Sequence, residues 1–115
     1  MKIVSWNCWL GFYGAKYEAI VSAFSDTDIF VIQECRLTDF DFFKSLWNHK
    51  GWYGDSAESD LGIAIFSKTW KVEFTNEFTN EFNRKFRYVV PFRISQNNKS
   101  FNLFAVWTKS GDYGL

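Results

Sequence analysis

Residues 29–33 read Ile-Phe-Val-Ile-Gln, a run of four large apolar residues too short for a helix and apolar on both faces. Such a run is the pattern of a buried parallel strand. It is preceded by Lys2–Cys8 (KIVSWNC), rich in β-branched and aromatic residues, which reads as a first strand. Between the two, Tyr17, Ile20, Val21 and Phe24 recur at i, i+3, i+4 and i+7, which predicts an amphipathic helix over Ala15–Phe24. Gly11 and Gly14 punctuate the way in, and Ser25-Asp26-Thr27-Asp28 the way out. Strand, helix and strand in so little chain make a βαβ unit, and that fixes the class as α/β.

A second helix is predicted from Thr38, taken as N-cap, with Asp39 and Asp41 in its first turn. Phe43, Leu46 and Trp47 form its inner stripe, Lys44 and Lys50 lie toward its end, and Gly51 is the residue after it. Trp52-Tyr53 reads as a short strand, 55–60 as a polar loop and Leu61–Phe66 as a central strand apolar on both faces. Beyond it the pattern is β only. Thr75-Asn76-Glu77-Phe78 is repeated as Thr79-Asn80-Glu81-Phe82, and Phe74, Phe78, Phe82 and Phe86 would share one face of a strand, although a spacing of four also suits a helix. Arg87–Ile94 and Phe101–Thr108 form a hairpin around Gln96-Asn97-Asn98-Lys99. Pro91 argues for an edge position or a bulge. The last strand carries Phe104 and Val106 on one face and Leu103, Ala105 and Trp107 on the other, and so calls for cover on both.

At 115 residues the chain is one domain's length, yet 22% of it is Phe, Trp or Tyr. The formal net charge is zero, which gives no overall pull toward nucleic acid. Residues 1–60 hold five Lys/Arg against nine Asp/Glu, and residues 61–115 eight against four, with Arg84, Lys85, Arg87 and Arg93 at the centre of the basic excess. A solvated strand face accounts for that cluster as well as a binding surface does. Cys8 and Cys35 match neither a disulfide framework nor a zinc ligand set, and both are expected to be buried, free thiols. Without a visible leader or an apolar run of membrane-spanning length, the expected location is the cytoplasm.

The strands of the βαβ unit end in Ser5-Trp6-Asn7-Cys8 and Ile32-Gln33-Glu34-Cys35. Parallel strands present their carboxyl ends on one sheet edge, where ligand crevices form. An amide from Asn7 and a carboxylate from Glu34 would then lie together. One carboxylate with few other protein oxygens suits Mg²⁺, which keeps most of its water. The same spacing is met by a Glu34 that only opens a loop and an Asn7 that only caps a turn. His49, the single histidine, is expected at the end of a helix as a surface or cap residue.

Several blocks in order resemble the endonuclease/exonuclease/phosphatase superfamily, the group of deoxyribonuclease I and exonuclease III. They are the opening Met1–Cys8, the Asp28–Glu34 block (DIFVIQE), the Leu61–Lys68 strand (LGIAIFSK) and the hairpin of Arg87–Thr108. The resemblance implies Mg²⁺-dependent cleavage of a phosphodiester, with Mn²⁺ as substitute. It implies Glu34 as principal metal ligand, Asn7 beside metal and phosphate, and Arg87, spaced from Arg93 as in a known pair, on substrate phosphate. The family's Asp-x-Asn, Gly-Asp-Phe/Leu-Asn and Ser-Asp-His blocks are missing: Asp112 is followed by Tyr113-Gly114, and Thr108 stands where some nucleases carry histidine.

The expectation is therefore an N-terminal half. It comprises a mixed β-sheet with a βαβ start and two helices on one face, half of a four-layer αββα sandwich. Residues 1–115 would form a single truncated domain, inactive alone, whose outer sheet face is apolar and self-associates. The substrate would be nucleic acid or another phosphodiester. Alternatives are a phosphatase or sphingomyelinase-like member, a non-catalytic nucleic-acid-binding module, or an assembly module.

Overall fold

The computed structural model describes residues 1–9, 12–54, 60–75 and 89–107. Ile3–Asn7 form β1, Gly14–Ala23 form α1 and Ile29–Arg36 form β2. Strands β1 and β2 pair in parallel from Ile3↔Ile29 to Asn7↔Gln33, as the βαβ pattern requires. Asp28 fixes the start of this pairing, since its Oδ2 accepts from the Lys2 backbone N–H at 2.7 Å. Leu37–Phe43 form α2, followed by a 3₁₀ turn at Lys44–Leu46, then β3 (His49–Gly54) and β4 (Leu61–Ser67). The first sheet has the order β1-β2-β4-β3, with β4 antiparallel to both neighbours. Lys71–Phe74 (β5), Val89–Gln96 (β6) and Lys99–Val106 (β7) form a second, antiparallel sheet in the order β5-β6-β7.

The class is mixed α/β, with two α-helices and two sheets among the described residues. The rings collect mainly on the helix side. Phe12, Tyr17, Phe30, Phe40, Phe43, Trp47 and Phe66 form one cluster with Cys8, Ile32, Cys35 and Ala64. Tyr17 and Phe43 stack at 3.9 Å between centroids, and Phe12 meets both edge-on. The Trp47 indole N–H donates to the Tyr17 hydroxyl at 3.0 Å, so a buried polar tip has a partner. Burial raises the Tyr17 phenol above its ordinary pKa.

The other face of the first sheet is not bare. Ile29, Val31, Ile63 and Ile65 pack against Val90, Phe92, Ile94, Ala105 and Trp107 of the second sheet. The expected apolar face is thus a buried sheet-on-sheet interface within one chain, and the layers run helix, sheet, sheet. On the outer side of β7 the apolar residues Phe104 and Val106 stay about half exposed (45% and 46%) beside exposed Asn102, so that strand has cover on one face, not two.

Other local expectations are corrected. Thr38 lies inside α2, and Arg36 occupies the cap position without a side-chain bond. The helix stops at Phe43, because the following 3₁₀ turn swings Leu46 out to 59% exposure while Trp47 turns back into the core. Gly51 does not end a helix: it pairs with Ile65 in β3, where strand pairing has overridden the helical spacing. Phe24 follows α1 and is partly exposed. Pro91 lies in the middle strand, not at an edge. Its carbonyl accepts from Thr75 N–H at 3.2 Å, just past the last described β5–β6 pair, so the strand keeps one bond to β5 there while the proline nitrogen can donate none in return. The predicted hairpin is present, turning at Asn97 in the left-handed region (φ 56°). Phe78, Phe82 and Phe86 lie outside the described residues.

One carboxylate on α2 is under strain. Asp39 Oδ2 is buried and has no hydrogen-bond partner among the described residues. Desolvation raises its pKa, against the pull of Arg36 and with added repulsion from Asp60. A carboxyl with a raised folded pKa favours the fold below its unfolded value of 3.8 and loses that contribution as pH rises through its folded value. Asp39→Asn is therefore expected to raise the melting temperature at pH 7, with the gain shrinking toward pH 4. Thermal melts at both pH values check this, and an equal gain at each would contradict it.

Candidate functional site

The parallel register sets Asn7 opposite Gln33, one residue before Glu34, at the carboxyl ends of β1 and β2. The next backbone N–H, of Cys8, donates to Gln33 O at 3.1 Å. Between Ile32↔Ala64 and Cys35↔Gly62 two residues of β2, Gln33 and Glu34, face the single Ile63 of β4. This is a β-bulge, a device that re-aims a side chain at a strand end. Glu34 carries its kink at φ 55°, a left-handed conformation that costs a non-glycine residue about 1–2 kcal/mol. Trp9, two residues after Asn7, is also left-handed, at φ 46°. Strained backbone gathered at one sheet edge is typical of binding sites.

The bonds around the carboxylate come from both sheets. Glu34 Oε1 accepts from the Trp107 indole N–H at 3.2 Å. Gln33 Nε2 donates to Ser5 Oγ at 2.7 Å and to the Val106 carbonyl at 3.2 Å. Because that carbonyl can only accept, the amide orientation is fixed. Gln33 Oε1 is left buried with no partner among the described residues, in a side chain only 8% exposed. Asn7 Oδ1 accepts from Trp9 N–H at 2.9 Å, and among the described residues no bond from its amide N–H₂ is seen. The Trp9 ring itself is 77% exposed.

Both cysteines are free and buried, as expected. The Cys8 thiol donates to the carbonyls of Gln33 and Glu34 at 3.3 and 3.2 Å, so it ties down the backbone beneath the bulge. Burial pushes the Cys35 thiol far up, with Cys8 and Asp39 adding to the effect, so it stays protonated.

Other sequence candidates fall elsewhere. Arg93 pairs with Glu73 and Asn102, four strand positions from the Val89↔Val106 pair, or roughly 13 Å away. His49 opens β3 opposite Ser67, at the end of the sheet away from Glu34. Arg84, Lys85, Arg87, Thr108 and Asp112 lie outside the described residues. Ser67, from the block resembling a family strand, fastens a turn: its Oγ donates to Asp28 O at 2.7 Å and accepts from Trp70 N–H at 2.9 Å. The participation of Gln33 and Trp107 was not read from the sequence. Gln33 could have been suspected, since a polar residue closes an apolar run at the crevice edge, whereas Trp107 stands 73 positions from its partner.

Among the described residues no group of three or more His, Cys, Asp or Glu side chains gathers as a metal cage. A single carboxylate with an amide nearby still fits Mg²⁺, which completes its shell with water. The orphaned Gln33 oxygen supports that fit, because cation-bound water donates hydrogen bonds and Oε1 can only accept. Comparison of the chain with models of protein families, with curated proteins and with solved structures returned no match.

Proposed function

We propose that this edge binds a divalent cation together with a phosphate ester, and that the chain is the metal-binding part of a phosphodiester hydrolase, with a nuclease as the leading case. The observation that carries this reading is the bulge that holds Glu34, in a strained conformation, next to the register partner of Asn7. Glu34 would hold Mg²⁺, or Mn²⁺ in its place, and Asn7 would stand beside it. Bound there, the cation would neutralise phosphate charge and stabilise a leaving alkoxide. The Asn7 amide N–H₂ donates to a phosphate oxygen and so orients the ester. Gln33 holds water at the edge. The described part of the site holds no histidine or second carboxylate to take a proton from water, so binding is expected to exceed turnover. Two buried, reduced thiols suit a cytoplasmic setting.

Trp9 favours nucleic acid over a lipid or inositol phosphate. An open ring two residues from Asn7 can stack on an unpaired base, worth about 1–3 kcal/mol. Calorimetric titration of the protein with MgCl₂ should give saturable millimolar binding, and a single-stranded oligonucleotide should bind about tenfold more weakly to Trp9→Ala. Absence of any Mg²⁺ binding would defeat the cation reading. Unchanged oligonucleotide affinity, or a preference for inositol phosphates that ignores Trp9, would defeat the nucleic-acid reading. Robust plasmid cleavage would show that the chain turns over unaided.

A further inference from the structure

The second sheet does more than cover the first. Trp107 follows the last residue of β7, is 7% exposed, and belongs to the sheet-on-sheet core. Its ring is buried in the same apolar cluster as Val31 and Ile63, so its N–H has little freedom of direction. That N–H is given to Glu34 Oε1. One residue earlier, the Val106 carbonyl accepts from Gln33, the other residue of the bulge. Both residues of the bulge are thus bonded to consecutive positions at the end of β7, Val106 in the strand and Trp107 just after it. A flexible carboxylate on a strained kink gains two fixed references, neither from its own sheet.

We propose that Trp107 is the positioning residue of Glu34: the indole N–H holds one carboxylate oxygen so that the other, Oε2, meets the cation in a single orientation. This rests on the reading of Glu34 as a cation ligand. An indole suits the task, because it is a donor only and cannot compete for the metal as an acceptor would. Groups that orient a metal's ligands change its affinity about 10–100-fold when removed.

The test uses the indole N–H signals of ¹⁵N-labelled protein. Trp107→Phe identifies the Trp107 signal by its loss. In metal-free protein that signal should move when Glu34→Gln removes the charge from its acceptor, and in the wild type it should move with added MgCl₂. Mg²⁺ affinity should fall at least about tenfold in Trp107→Phe. Because the ring is buried, a benzothiophene analogue of tryptophan at the same position, which keeps shape and drops only the N–H, should show the same loss in a protein of wild-type stability. An indole signal indifferent to Glu34→Gln, or full Mg²⁺ affinity in the analogue, overturns the positioning role and leaves the cation site standing. A signal that responds to Glu34→Gln in a wild-type protein that binds no Mg²⁺ overturns the cation site, and the proposal with it.

Discussion

Gly62→Ala is expected to destabilise the chain by about 3 kcal/mol or more, at or beyond the upper end of overpacking costs. Gly62 lies in β4 opposite Gly54 of β3. A side-chain Cβ there would collide with the Tyr53 carbonyl oxygen and meet the Trp52 ring at 2.6 Å. The first of these is backbone of a paired strand and cannot step aside. The second is pinned as well, since the Trp52 indole N–H donates to Cys35 O at 2.9 Å. Trp52 lies across two glycines and binds the end of β2 next to the bulge, so relief by rotating it would loosen the candidate site too. Gly51 provides the contrast within β3. A Cβ there would meet Ile65 and Phe92 at 3.6 and 3.7 Å, ordinary van der Waals contact. Gly51→Ala should therefore be neutral or stabilising by up to about 1 kcal/mol through the unfolded chain. Urea unfolding of the two variants beside the wild type measures both. Equal midpoints for Gly62→Ala and the wild type would contradict the packing described around Trp52.

Substitution at Glu34 is expected to separate function from stability. Glu34→Gln keeps the shape, loses the charge, and should abolish saturable Mg²⁺ binding. Glu34→Ala and Glu34→Gly should do the same, but they should differ in stability in an unusual order. In a strand, glycine is ordinarily the weaker residue. At φ 55° alanine bears the left-handed penalty and glycine does not, so Glu34→Gly should be more stable than Glu34→Ala by about 1 kcal/mol. Calorimetry for Mg²⁺ and urea midpoints for stability read the two effects independently. Retained Mg²⁺ binding in Glu34→Gln would remove the residue from the site, and an alanine variant the more stable of the pair would remove the strain. A glutamate at a bulge position that favours glycine is a local compromise, and such compromises concentrate at functional positions.

Much of the first sheet was legible because its signals are local. The apolar run at 29–33, the helical period through Tyr17, Ile20 and Val21, and the turn at Asn97-Asn98 each act over a few residues. They gave β1, α1, β2, β4 and the hairpin with boundaries off by one to a few residues. The extent of α2 was misjudged because Phe43, Leu46 and Trp47 suit a helical stripe as well as they suit a turn that ejects Leu46. The division into two sheets was hidden for a different reason. A strand apolar on both faces records that cover is needed, not what supplies it. Ile63 and Ile65 read the same whether a missing half or the chain's own β6 and β7 lies above them. In the site, Asn7 and Glu34 were legible through the parallel pair, whereas the bulge and the bonds from Val106 and Trp107 depend on where β7 comes to rest.

The bonds from Gln33 to Val106 and from Glu34 to Trp107 span 73 positions each. Contacts between such distant parts of a chain form only after the intervening loop has been closed, so they belong to the later events of folding. A βαβ unit that has formed while β7 is still loose holds Asn7 and Glu34 on neighbouring strand ends yet lacks both references for the bulge. On the proposed reading, affinity for a cation would then be a property of the fully folded chain, and Mg²⁺ would act as a ligand of the native state alone, raising its stability by mass action. The melting temperature should accordingly climb with Mg²⁺ concentration, so that assembly of the second sheet can be followed through an ion that never touches it.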